Sequence, residues 1–260
     1  MPVEPPLKSK SLVKSIDSDA LNSNQEFSEN ASEKIAKIDE NSCYPAGVTP
    51  PSNIRVEFVH ETTRLVSVGS DFTLFVFGKT VGDNVFIATD AKVDPRAISK
   101  IGPGTNILAG SIGPEVLLGR ECIVLGHLRG KVIAGNHTIF GPNSRIHAGV
   151  FGDQVLIGSQ VLSGPEVIVG NHVEIGDSTS LARKVLIRDY VCIGKNCAIE
   201  SSISGTTEIG RGAIIGNYCD TDDDPLIPEK TLIPPHSLLI GTNSSKDATR
   251  GYRIESLDLT

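Results

Sequence analysis

Between Val155 and Ile199, apolar or small residues recur in pairs two positions apart, and the pairs recur every six residues. The pairs are Val155/Ile157, Val161/Ser163, Val167/Val169, Val173/Ile175, Thr179/Leu181, Val185/Ile187, Val191/Ile193 and Cys197/Ile199, eight hexads without a slip. Alternation within each triplet predicts a short strand with both paired side chains on one face. Glycine often follows the second member, and with the polar residues behind it (Gly170-Asn171-His172, Gly194-Lys195-Asn196) it predicts a tight turn. Glycine and asparagine are expected there because positive φ costs them little. Strands this short make no stable hairpin, but in a coil each pairs with its equivalents above and below. Three hexads close one triangular turn. Ile139, Ile157, Ile175 and Ile193 are therefore expected to stack as one inward column, and Phe151, Val169 and Ile187 as another. The fold class expected is all-β, a single-stranded parallel β-helix.

The period weakens on both sides. Upstream, Val81, Ile87, Val93, Ile101, Ile107, Ile112, Leu118 and Leu125 follow one another at uneven steps. Downstream, Ile203, Ile209 and Ile215 resume the six-step after a shift at Ser201-Ser202, so the repeats are expected from about Thr73 to Gly216. Ile54 to Val68 alternates enough for a capping strand or two, and Phe72, Phe75 and Phe77 are expected to plug the open core. The first 45 residues hold no glycine and are rich in serine, asparagine and mixed charge, which predicts a disordered tail. The organisation expected is a tail and linker over 1–53, a β-helix domain over 54–241, and a polar, disordered C-terminal tail over 242–260.

Composition agrees with thin layers and many turns: 5% aromatic residues, no tryptophan and 26 glycines in 260 residues. The net charge of −7 argues against nucleic acid as a partner, since phosphate contacts need clustered cations. No apolar run approaches the ~18 residues of a membrane helix, and no secretory signal opens the chain, so a cytoplasmic location is expected. Cys43, Cys122, Cys192, Cys197 and Cys219 form no closely spaced pair of the zinc type and are expected as reduced thiols.

These hexads resemble the hexapeptide-repeat superfamily, built from [LIV]-G-x-x-x-x units, and the resemblance implies a left-handed coil. Ile233-Pro234-Pro235-His236-Ser237-Leu238-Leu239-Ile240-Gly241 is similar to the segment that closes many hexapeptide transferases and γ-class carbonic anhydrases. Gly126-His127-Leu128-Arg129-Gly130-Lys131-Val132-Ile133-Ala134-Gly135 is similar to a coil of bactofilins and of the C-terminal domain of the division inhibitor MinC, which are non-catalytic. The first likeness implies a homotrimeric acyltransferase with no permanently bound cofactor, taking an acyl-CoA or acyl-carrier thioester as co-substrate. The second implies a scaffold that assembles end to end or binds partners.

An acyltransferase of this kind needs an outward-facing imidazole as general base. His147, on the outward part of a turn, is the first candidate. It resembles the base of the lipid A acyltransferase type, although Ala148 stands where an aspartate follows there. His127, just after Gly126, is the second. His137 is expected to point inward, and His172 to serve as a bend. A zinc site would need three converging histidines. His127, His137 and His147 are spaced by ten, not by a multiple of six, so successive members are expected on different parts of the triangle, and no metal site is assigned. Asp220 to Asp224 is expected as a solvated acidic loop leaving the coil.

Overall fold

The computed structural model describes residues 54–68, 72–202, 205–222, 224–243 and 250–257. The tail and linker expected over 1–53, and the placement of Ile203 and Asp223, lie outside the described residues. Three sheets of 12, 10 and 7 strands, here sheets I, II and III, form the faces of a three-sided coil. The chain visits them in turn. His127–Leu128 lies in sheet II, Val132–Ala134 in sheet III and Ile139–Phe140 in sheet I. Each two- or three-residue strand pairs in parallel with its equivalent one coil on, as Ile157 with Ile175 and Ile175 with Ile193.

All sixteen residues of the eight hexad pairs are buried, with 3% exposure at most. The Phe151–Val169–Ile187 column is present as expected. The first column differs at one end: Phe140, not Ile139, pairs with Ile157 and points inward. On sheet I the steps from Ile123 to Ile139 and from Ile139 to Leu156 fall short of eighteen residues, which moves the inward position along the sequence. That same shift places Thr138 in the core and turns His137 outward, where its Nδ1 lies 3.2 Å from a Glu121 carboxylate oxygen. The inward His137 of the sequence reading is thus corrected.

Glycine and positive φ also separate. Gly176 follows Ile175 because the next coil passes directly over it: a Cβ there would lie 2.5 Å from the Gly194 carbonyl carbon. The left-handed backbone falls instead on the residue two further on, including Ser178, Asn196 and His172, each with φ between 55° and 59°. One corner carries a ladder of side-chain amides and carboxylates. Oδ1 of Asp153, Asn171 and Asp189 accepts from the backbone N–H of Asn136, Asp153 and Asn171 at 2.6–2.8 Å. These turn amides have no partner in a short strand, and the ladder supplies one.

At the N-terminal end, strands β1 (Ile54–His60), β2 (Thr63–Val68), β3 (Phe72–Val81) and β4 (Val85–Ala88) run antiparallel, and parallel pairing begins between β4 and Asn106–Ile107. They form a second small core of Val66, Phe86, Ala88 and Leu108. Buried Arg64 lies over the Phe86 ring and hydrogen-bonds Asn106 Oδ1. The expected aromatic plug is not formed: Phe75 and Phe77 are 58% and 65% exposed, because alternation in β3 turns Leu74 and Val76 to the packed face.

At the other end, the coil runs beyond Gly216 to Leu239. Asp220–Asp222 is a strand of sheet II with Thr221 buried, not a loop leaving the coil. The expected C-terminal tail is corrected as well. Ser237–Asn243 pairs antiparallel with Arg250–Ser256, and Tyr252 packs against the core. A seven-residue strand exposes a row of backbone groups along its edge, and the returning strand satisfies them.

Candidate functional site on sheet II

The outward side chains differ from face to face. On sheet III the outward row includes Leu117, Ile133, Val150, Ile168 and Leu186. On sheet I it includes Ile123, Ile139, Leu156 and Ile214. Sheet II is polar over its first coils: Lys92, Ser111, His127 and Arg145 stand side by side there. Two residues on along the same strands, Arg129 and His147 take the next outward positions, because strand side chains alternate.

His127, Arg129, Arg145 and His147 thus form a two-by-two grid lining a depression of about 280 Å³. Cross-strand neighbours stand ~5 Å apart at the backbone, and positions i and i+2 ~7 Å apart. The arginines occupy one diagonal and the histidines the other. His127 is half-buried and the other three are exposed. Ser111 Oγ lies 3.0 Å from His127 Nδ1, which fixes that ring and leaves Nε2 as its second nitrogen. Among the described residues, the His147 ring has no hydrogen-bond partner.

The two histidines singled out in sequence therefore meet on one face. The ten-residue spacing separates successive members only, and His127 and His147 meet because Leu128 pairs with Ile146 one coil on and the two histidines flank that pair. His137, the middle member, sits on a corner away from them. Arg129, Arg145 and Ser111 escaped the sequence reading. The signal that finds them is the register itself: Ser111, His127 and Arg145 are equivalent positions of successive coils.

The remaining histidines have other partners. His172 stacks on Tyr190 at 4.8 Å, His236 on Tyr218 at 4.9 Å, and His60 Nδ1 meets Thr62 Oγ1. Burial pushes the Cys122 thiol up to about 11 and raises Cys192 further, so neither is poised as a nucleophile. Among the described residues, no three His, Cys, Asp or Glu side chains gather as a metal site would require.

The six-residue period, the three-sided coil and its interior aliphatic columns define the fold as a parallel β-helix. No family model matches it, and no curated protein is similar to it in sequence. It is similar to solved UDP-N-acetylglucosamine acyltransferases. The protein from Campylobacter jejuni has 15% identity and a TM-score of 0.35 over 64% of this chain and 73% of that one. The one from Bacteroides fragilis has 17% identity and a TM-score of 0.29 over 64% and 73%. The one from Francisella novicida has 15% identity and a TM-score of 0.28 over 65% and 68%. Likeness at these levels carries no assignment of activity. No described helix is long and apolar enough to cross a membrane.

Proposed function

We propose that the chain is an acyltransferase working from sheet II, moving an acyl group from a CoA or carrier-protein thioester to a hydroxyl or amine. The observation that carries this reading is the meeting of His127 and His147, twenty residues apart in sequence, in one depression. In the reaction, an imidazole accepts the proton of the acceptor O–H or N–H as that atom bonds to the thioester carbonyl carbon. The C–S bond then breaks, and the imidazolium returns the proton to the departing thiolate. A positioned base of this kind contributes ~10²–10⁴ in rate. His147 is the exposed, unengaged imidazole and His127 the one oriented by Ser111, a division suited to a base and its neighbour. The active assembly in this reading is a homotrimer, in which a second copy completes the cleft.

The test is a screen of acyl thioesters against hydroxyl and amine acceptors, following thiol release. His147→Ala is expected to lower turnover at least a hundredfold with folding intact, and His127→Ala to lower it less. Turnover that survives both changes, or no thioester cleavage by the wild-type chain, would overturn the proposal.

A second reading has its own support. The aliphatic outward rows of sheets I and III suit a scaffold that binds partners or copies of itself through these faces. Solution mass with negative-stain microscopy separates the two: discrete trimers favour the enzyme, and filaments the scaffold.

A further inference from the structure

Elsewhere on the described surface, arginines commonly answer to carboxylates. Arg96 pairs with Asp94, Arg183 with Glu166, Arg188 with Glu208 and Arg253 with Glu255, at 2.9–3.3 Å. Even the corner histidine His137 has Glu121. Arg129 and Arg145 have no such partner among the described residues. They stand in the same depression with two imidazoles, on a chain whose net charge is −7. Basic groups massed on neighbouring strands repel, and like charges across a sheet are destabilising. Acidic residues outnumber basic ones in this chain, 31 to 24, yet none of them lines the depression.

From this concentration of uncompensated donors we infer that the grid of His127, Arg129, Arg145 and His147 binds the phosphoryl or diphosphate group of a soluble small molecule. Guanidinium groups suit phosphate because their planar fork donates two parallel hydrogen bonds to two oxygens of one anion. Two such forks on one diagonal of the grid can hold one phosphate from opposite sides, or the two phosphates of a diphosphate. The imidazoles on the other diagonal offer further N–H donors. The concavity lets the anion meet all four side chains at once, where a flat face would present them singly. The parallel ladder holds their spacing, since both strands are pinned by backbone hydrogen bonds, Arg129 N–H to Ile146 O at 2.8 Å among them. This inference does not require acyl transfer: a phosphate subsite serves an enzyme or a ligand-regulated scaffold, and it is read by binding and not by turnover.

The test is isothermal titration of the full-length chain with inorganic pyrophosphate and with inorganic phosphate at low ionic strength, paired with melting curves. The wild-type chain is expected to bind pyrophosphate saturably and to melt higher in its presence. Arg129→Gln and Arg145→Gln should each weaken binding about tenfold or more, through lost charge-assisted hydrogen bonds, and the double change should abolish it. Arg145→Lys, which keeps the charge but loses the fork, should weaken binding measurably. Arg253→Gln, on the C-terminal strand, should leave it unchanged. Without ligand, the Arg129 and Arg145 variants should melt no lower than wild type, so a folding defect cannot imitate the result. Absence of saturable binding of either anion to the wild-type chain overturns the inference, as does binding that the double variant retains. Capture by phosphatidic acid vesicles without binding of free pyrophosphate overturns it too, because that result would assign the grid to a membrane headgroup.

Discussion

Glu174 shows how one residue can be out of keeping with its row. It stands between Leu156 and Cys192 on the outward side of sheet I, with no partner among the described residues, and burial holds its carboxyl above the usual carboxylate range. A carboxyl whose pKa rises on folding favours the folded state fully below its unfolded value of ~4.3, and that advantage is lost as pH rises through the folded value. Glu174→Gln should therefore raise the melting temperature at pH 7 and change it little below about pH 4. An equal shift at both pH values would show that the charge is not responsible. Inside the coil, Ile175 is fully buried between Ile157 and Ile193, so Ile175→Ala should cost ~2–5 kcal/mol in denaturant unfolding. That residue was legible in sequence because it lies within the unbroken run of hexads. Ile139 and His137 were not, since the coils there are shorter and the inward position had already moved to Phe140 and Thr138.

At the scale of strands and corners, sequence pattern shows what repeats and misses what closes. The hexads disclose strands, turns and interior columns because burial imposes alternation on every coil. They do not disclose the end strands, where long antiparallel pairs replace short parallel ones and a largely polar sequence such as Arg250–Ser256 pairs through its backbone. Removing residues 250–260 should bare the edge of Ser237–Asn243, lowering the melting temperature and promoting association through that edge. A truncated chain as stable and as dispersed as the full one would contradict this. The corner ladder went unread as well, although Gly-Asx recurs in the sequence, because its meaning appears only when coils are stacked. Asn171→Ala removes the acceptor for the Asp153 amide and should cost ~1–3 kcal/mol of unfolding free energy.

For the whole molecule, the three faces divide the work. Aliphatic side chains make up much of the outward rows of sheets I and III, while the grid of two histidines and two arginines stands on sheet II. The fold class was plain from the period, and both candidate histidines were picked out. Their meeting was not foreseen, since it depends on the lengths of the coils between them. On sheet II, His127 and His147 belong to one site that the other histidines do not share. The most direct measurement is a nitrogen–proton correlation spectrum of the histidine rings in the full-length chain, recorded during titration with inorganic pyrophosphate. The signals of His127 and His147 should shift together along one saturation curve, and those of His137, His172 and His236 should stay in place. Shifts confined to the corner histidines, or separate curves for His127 and His147, would contradict a common site on sheet II.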